Sequence, residues 1–531
     1  MLTIRDIAVP ARHDPSMLYY LAANTLRIPA SEITDLQIRK RSLDARKKDN
    51  IQYIYTVDVS TRHSEARVLK QCRNNRVSLS KPFVYRIPMG TPSEDRPVVV
   101  GFGPAGMFAA LALAIAGLRP IVIERGQEAE KRHAAVKRFW ETGELDPECN
   151  VQFGEGGAGT FSDGKLNTGT KNERQGWILQ QMVKAGADAS ILYDAKPHVG
   201  TDVLLTVVQN IRRRILSLGG EVHFETKLTG LRTDGGKLSG IEIQSGKETV
   251  LLPCRQLILA LGHSARDSFE MLYTAGLPME PKPFSMGVRI EHLQSEVNTA
   301  QYGPDWESLG LPAADYKLNV RLPDGGSAYT FCMCPGGYVV GAASEEGRVV
   351  TNGMSDFARD GENANAALLV TLQPEDFPDK SALGGMYWQR EIEAAAFRAG
   401  GGNFYAPAQL VGDFLARRPS TEAGRVKPTY RPGVRFCDLH EALPAQITRV
   451  LEGAIPELGK KLKGYDDPEA VMTAPETRSS SPVRIVRGED LQSTGLSGLY
   501  PCGEGAGYAG GILSAAVDGL LCAEAAIRDP L

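Results

Sequence analysis

Gly101, Gly103 and Gly106 stand in the spacing GxGxxG, directly after the apolar run Val98-Val-Val and directly before MFAALALAI. In that context each glycine has a task. The first permits a tight turn, the second lets the backbone approach a pyrophosphate, and the third lets a helix pack closely on a strand. The helix that follows would present free N–H groups and the positive end of its dipole to phosphates. Glu124, eighteen residues beyond Gly106, closes the next apolar run, Ile121-Val-Ile. It is placed to accept hydrogen bonds from ribose hydroxyls, and its charge disfavours a 2′-phosphate. Pro104, Ala105 and Arg125 fall in the same two turns and are candidate contacts. The chemistry these residues imply together is dinucleotide binding.

A second constellation lies near the C-terminus, in Leu499-Tyr-Pro-Cys-Gly503-Glu504-Gly-Ala-Gly507-Tyr-Ala-Gly510-Gly511-Ile512. It resembles the second flavin motif of the glutathione-reductase-like flavoproteins, in which a short strand ends in glycine and an acidic residue before a helix. The resemblance implies FAD, with the acidic residue on the ribityl chain and Gly503, Glu504, Gly507, Gly511 and Ile512 at the cofactor. Reduced flavin carries negative charge near N1 and O2 that such a helix start can stabilise. Glu504 stands where that family usually has Asp. Leu257-Ile-Leu-Ala-Leu261-Gly262 is similar to the family's strand and Ala-Thr-Gly turn, with Leu261 in place of Thr.

Gly154-Glu-Gly156-Gly157-Ala-Gly159 also spells GxGxxG, but it runs into TFSDGKLNTGT with no helix to supply a dipole, so a second nucleotide site is not expected there. VQFGEGGAGTFSDGKLNTGT instead resembles the glycine-rich loop that lines the isoalloxazine in related flavoproteins, which implicates Gly156, Gly157 and Gly159. The set, with Phe331-Cys-Met-Cys-Pro-Gly-Gly and Glu476-Thr-Arg-Ser-Ser-Ser-Pro-Val-Arg, resembles a bacterial family of FAD-dependent dehydrogenases or oxidoreductases. The match covers residues 97–265 and 480–531.

Flavin performs the hydride chemistry, and the protein orients, protonates and excludes water. Three side chains are candidates for catalysis. Lys165, in the flavin-lining loop, would stabilise negative charge at N1/O2 or hold an anionic substrate; the alternative is a surface lysine. Arg478 would clamp a carboxylate bidentately, or form a structural ion pair. Cys502 adjoins the Gly503-Glu504 turn and is either a flavin neighbour or a small buried hydrophobe. His263 and His198 are read as hydrogen-bonded structural residues, with no paired base or nucleophile apparent. No two cysteines follow the first glycine motif at CxxxxC spacing, which argues against disulfide-reductase chemistry. Cys332 and Cys334, two apart, are expected on one face of a strand, a poor metal site without His or carboxylate neighbours.

These residues need elements to position them. The segment from residue 97 reads as strand, turn, helix, strand, the βαβ unit. TDVLLTVVQNIRRRILSLGGEVHF suggests a helix then a strand, and the following run several short strands. Extended segments such as PFSMGVRIEHL and SAYTFCMC, a helix around GMYWQREIEAAAFRA and a Pro-rich return interrupt this rhythm before it resumes. The expected fold is α/β: a doubly wound, Rossmann-like FAD domain in two segments (residues 93–268 and 478–531), an inserted sheet-based α+β substrate domain (269–477), and a small basic α/β domain (1–92).

The 531 residues, 42% hydrophobic and 23% charged, exclude disorder and a small disulfide scaffold. Net charge is −3 overall, but +6 over residues 1–95 and −9 beyond, so nucleic acid would need a local patch such as RKRSLDARKKDN, whose alternative is a solvated surface. Eight cysteines without CxxC spacing read as reduced thiols. The N-terminus meets charge by its fifth residue, and the uncharged stretch 98–118 is broken by GFGPAG. A cytoplasmic protein with no membrane span is therefore expected. The function expected is a FAD-dependent oxidoreductase acting on a small molecule with noncovalent FAD. NAD(P)H, as a reductant, would have to bind transiently at the flavin face. The rival reading is a flavoprotein that engages RNA or a protein through its N-terminal domain, as an adaptor or as an enzyme acting on RNA. Oligomeric state is open.

Overall fold

The computed structural model describes residues 1–529 apart from residues 82, 168, 170 and 171. The last three fall in and just after the glycine-rich loop, so that part of the loop lies outside the described residues. The fold is mixed α/β, with parallel and antiparallel sheets.

Five three-residue strands form a parallel sheet in the order Leu499–Pro501, Leu257–Leu259, Val98–Val100, Ile121–Ile123, Glu221–His223. The three central strands, from Leu257, Val98 and Ile121, are almost wholly apolar, as strands covered on both faces must be. Helix Pro104–Ile115 is buried along ten of its residues and rich in alanine, so helix Ile512–Arg528 can lie directly on it. Closeness is extreme where Gly519 meets Ala105: a Cβ on Gly519 would fall 2.1 Å from the Ala105 carbonyl oxygen. The sheet thus joins strands separated by some 400 residues of chain, and both glycine-led helices start along the same edge of it.

The chain between them builds a seven-stranded mixed sheet in the order Asn319–Arg321, Ser327–Cys334, Asn363–Leu372, Phe284–Leu293, Val471–Glu476, Ala406–Leu410, Val434–Phe436. Its central strand Phe284–Leu293 is buried except at its last residue. Its polar residues are matched: Arg289 pairs with Glu476 at 2.9 Å, and Glu291 accepts from Asn363 and Thr429. Helix Ala445–Lys461 covers the sheet with Ile447, Val450, Leu451, Ile455 and Leu458. It contains Pro456 and occupies what the sequence suggested was a Pro-rich return. An interior proline costs about 3 kcal/mol, and burying five large apolar side chains at about 1.5–3 kcal/mol each outweighs it.

Residues 1–79 form a four-stranded antiparallel sheet, order Ile33–Asp44, Gln52–Thr61, Leu2–Pro10, Val77–Leu79, with helices Ser16–Leu26 and Glu65–Cys72. The basic segment lies at its hairpin, and several of its cations are taken up within the chain. Arg41 pairs bidentately with Asp194 at 2.7 and 2.8 Å, Lys48 donates to the Ala300 carbonyl, and Arg46 pairs with Asp44. Beyond this sheet Tyr85 and Ile87 pack against the core of the parallel sheet, Tyr85 edge-on to Trp177. No helix among the described residues is long and apolar enough to cross a membrane.

Candidate functional site

A cavity of about 480 Å³ opens between the C-terminal edge of the parallel sheet and the seven-stranded sheet. Gly101 begins its floor with φ +94°; a Cβ there would sit 2.2 Å from the Ala260 carbonyl oxygen, so only glycine carries the chain past the neighbouring strand. Gly103 is different. Its missing Cβ would meet only Gly157 among the described residues, at an ordinary 3.6 Å from Cα, and Gly103 lines the cavity.

Gly103 and Gly511 each precede a helix, Pro104–Ile115 and Ile512–Arg528, and no side chain among the described residues caps either helix start. Both starts line the same cavity. Unsatisfied N–H groups and two positive dipole ends therefore converge on one space, which suits anionic or electron-rich groups at two points. Glu124 is buried and held by three backbone N–H donors, Phe102 at 2.8 Å and Gly126 and Gly154 at 2.9 Å. That fixes its carboxylate at the cavity wall with capacity left to accept from hydroxyls. Arg125 also lines the cavity; its guanidinium lies 4.0 Å from the Phe153 ring centroid and pairs with Glu148 and Asp267.

Glu504 ties the second glycine turn together. One carboxylate oxygen lies 2.8 Å from His263 Nδ1 and the other accepts the Gly511 N–H at 3.1 Å. Among the described residues His263 Nε2 is buried without a partner, and His263 and Glu504 both line the cavity. An unpartnered buried nitrogen is costly unless a ligand completes it.

The opposite wall carries Lys165, whose ammonium lies 3.8 Å from Asp163, and the strand residues Phe331, Cys332 and Met333. Arg478 reaches the cavity, but its guanidinium is claimed from within the protein. It binds Glu393 at 2.9 and 3.1 Å and donates to the hydroxyls of Ser264 and Ser344. Arg266 binds the same Glu393 carboxylate at 2.8 Å through two nitrogens, and Glu345 completes the cluster. Burial opposes a charge on Glu393, but the two guanidiniums overcome it and hold the carboxyl well below the usual range. Burial and the nearby Arg266 push Arg478 down from its ordinary value. Arg478 comes from the return to the parallel sheet, Ser264 and Arg266 from the turn and helix start after strand Leu257–Leu259, Ser344 and Glu345 from the segment after strand Tyr338–Gly341, and Glu393 from helix Gly384–Ala399.

Among the expected cofactor residues, Gly101, Gly103, Pro104, Ala105, Glu124 and Arg125 line the cavity, as do Gly157, Gly159, Gly262, Glu504, Gly511 and Ile512. Four glycines support it from behind. Gly106 permits the helix–strand approach, since a Cβ would lie 1.9 Å from the Gly101 carbonyl oxygen. Gly156 lies against Thr160, Gly503 against Ala105, and Gly507 against the Val483 carbonyl oxygen. Cys502 lines the cavity yet is fully buried. The neighbouring Cys522 thiol and burial push its own thiol well up, away from the thiolate. Asp518 beside them is paired with Arg487 at 2.7 Å.

The sequence did not expose the His263–Glu504 pair, because His263 read as structural and its partner lies 241 positions away. Cys332 and Cys334 need a correction. Strand pairing shifts register between Phe331 and Cys334, and Cys332 has φ +42°, so simple alternation fails there. Cys332 is half-buried at the cavity while Cys334 is wholly buried.

Residues 283–479 match the family model described as "FAD-dependent protein, C-terminal domain-like", and residues 1–60 match a domain of unknown function, DUF8436. An uncharacterized protein of Clostridium beijerinckii is 48% identical over 528 residues, 98% of each chain. Distant likenesses include a geranylgeranyl bacteriochlorophyll reductase-like protein of Thermoplasma acidophilum (14% identity, 82% of this chain and 78% of that one, TM-score 0.37). Another is FrdA of the Escherichia coli quinol fumarate reductase (13%, 82% and 70%, TM-score 0.37). The two uncapped helix starts, the glycine-walled space and the fixed acceptor Glu124 fit a flavin dinucleotide, and FAD is the cofactor. The protein belongs to the same family as its C. beijerinckii relative and is a FAD-dependent flavoprotein.

Proposed function

We propose that the protein is an oxidoreductase that holds FAD noncovalently and passes hydride between it and a small anionic molecule entering beneath the seven-stranded sheet. The observation that carries this reading is the convergence of two uncapped, glycine-led helix starts on one cavity whose far wall bears Lys165. Gly103, Pro104 and Ala105 would hold the pyrophosphate, Glu124 the adenosine ribose, and Glu504 with Gly511 and Ile512 the flavin end. Bound FAD supplies a two-electron acceptor and donor of hydride.

The chain's own part is positioning and charge. Lys165, only partly neutralised by Asp163 at 3.8 Å, draws a carboxylate or similar anion to the far wall. His263, oriented by Glu504 through Nδ1, presents Nε2 as the atom that holds or releases a proton. Arg478 acts as a positioning residue, because Glu393 already occupies its fork and the cluster locks the return strand against helix Gly384–Ala399. One parallel sheet of this kind occurs among the described residues, so NAD(P)H, if it is the reductant, binds in passing at the flavin face.

An anaerobic absorption titration with NADH, NADPH and a panel of small organic acids tests this function. Bleaching of the oxidised flavin bands by one of them, slowed in Lys165→Met, is the expected result. A flavin that none of them reduces, although dithionite does, would contradict it.

A further inference from the structure

Strand Ser327–Cys334 pairs with Asn363–Leu372 residue for residue as far as Phe331↔Ala367, then resumes at Cys334↔Asn365. One extra residue is thus carried on the cysteine-bearing strand, a bulge of the kind that re-aims side chains beside sites. Cys332 sits in it with φ +42°, a conformation costly for a side-chain-bearing residue. The bulge leaves Cys332 half-buried on the cavity wall and Cys334 fully buried behind it. The Cys334 thiol is turned back on residue 332, its Sγ 3.2 Å from the Cys332 carbonyl oxygen. The buried Arg289 guanidinium donates to that carbonyl at 2.9 Å and reaches Cys334 Sγ at 4.0 Å. Lys165 lines the same cavity.

We propose that Cys332 and Cys334 form a reactive dithiol in the cavity wall, with Cys332 attacking small-molecule disulfides and Cys334 resolving the mixed disulfide. The site lies beyond the flavin chemistry and needs no electrons from it. In the first step the Cys332 thiolate attacks one sulfur of RS–SR; a Cys332–SR bond forms and RS⁻ leaves, taking a proton from water. In the second, Cys334 gives its proton to water and attacks the Cys332 sulfur, expelling the second RS⁻. Two cysteine thiols are oxidised and one external disulfide is reduced to two thiols.

Electrostatics divides the roles in the same sense. The neighbouring Cys334 thiol, with the Arg289 and Lys165 charges, draws the Cys332 thiol below its ordinary value against the effect of burial; the Cys332 thiol and burial push Cys334 up. Burial raises Cys149 to about 11, Cys254 to about 12 and Cys437 to about 11. Only Met333 separates the pair, so the disulfide closes a small ring. Such a strained bond has an oxidising potential and reopens readily with thiols, as a switch at a cavity should.

The test treats the purified holoprotein with oxidised glutathione, quenches with acid, alkylates under denaturing conditions and maps peptides by mass, with the flavin spectrum recorded on each sample. The wild-type peptide carrying both cysteines should lose two hydrogens and escape alkylation. Cys334→Ser should accumulate one glutathione on Cys332, and Cys332→Ser should show neither disulfide nor adduct on Cys334. A brief iodoacetamide pulse on the folded wild type near pH 6 should label Cys332 at least about tenfold faster than the other cysteines, following its greater thiolate fraction. Labelling of Cys332 no faster than the rest, or an adduct forming first on Cys334, overturns the proposal. Absence of flavin with the expected cysteine pattern would instead count against the cofactor reading alone.

Discussion

The Nδ1 of His263 lies 2.8 Å from a carboxylate oxygen of Glu504, and the second oxygen of that carboxylate accepts the N–H of Gly511, the residue immediately before the C-terminal helix. One side chain therefore sets both the histidine ring and the helix start at the place assigned to the flavin end. Glu504→Ala removes both contacts, each charge-assisted hydrogen bond being worth about 1.5–3 kcal/mol. FAD should then dissociate at least about tenfold more readily, measured by fluorescence titration of the deflavinated protein. His263→Ala should leave FAD content closer to wild type and lower the rate of flavin reduction. Equal FAD affinity in Glu504→Ala and wild type would break the link between this pair and the flavin.

Gly103 and Gly106 separate ligand space from packing space. A methyl group at Gly103 meets nothing closer than 3.6 Å among the described residues, whereas one at Gly106 would lie 1.9 Å from the Gly101 carbonyl oxygen. Gly103→Ala should fold with nearly unchanged melting temperature after flavin removal and yet bind FAD poorly. Gly106→Ala should lose stability by about 1–3 kcal/mol through overpacking, read by thermal unfolding of the same flavin-free state. Full FAD retention in Gly103→Ala would contradict the placing of the pyrophosphate.

Glu393 joins Arg266 and Arg478 where helix Gly384–Ala399 meets the segment returning to the parallel sheet. Its folded-state carboxyl is held below the ordinary value of 4.5. The stabilisation is therefore complete above about pH 4.5 and is lost as pH falls through the lower folded-state value. Glu393→Gln should flatten the dependence of melting temperature on pH below about 4.5. At neutral pH it should destabilise by about 3–5 kcal/mol, because two guanidiniums stay buried around a neutral amide. An unaltered acid limb would show that another group governs it.

Lys165→Met should keep FAD and the fold while lowering kcat/KM for an anionic substrate by roughly ten- to a hundredfold, the loss of one charged contact. The effect should shrink for a neutral analogue of that substrate. An equal loss for both would make Lys165 a flavin-side residue rather than a substrate anchor.

The glycine turns and the strands around them were legible in the sequence because their signals are local: Val98–Val100, Gly101 and Glu124 lie within one βαβ unit. The helix at GMYWQREIEAAAFRA and the extended segments of the seven-stranded sheet were legible for the same reason, through apolar period and β-branched runs. What escaped depends on distant partners or on local rules overridden by packing. Arg478 left two readings open in sequence, a carboxylate clamp or a structural ion pair, and the partner that makes the ion pair, Glu393, lies 85 positions away. Cys332 left the expected alternation through a one-residue bulge fixed by its pairing with Asn363–Leu372. Helix Ala445–Lys461 falls in what read as a Pro-rich return, and it forms around Pro456 because of the apolar face it buries.

Whether one noncovalent FAD occupies this cavity is decided by denaturing the purified protein with acid, removing the precipitate and measuring the flavin released. The predicted result is FAD in the supernatant at about one per chain, and a clear drop in Gly103→Ala. Protein that carries no flavin and binds none on reconstitution, or flavin that remains covalently with the precipitate, would contradict it.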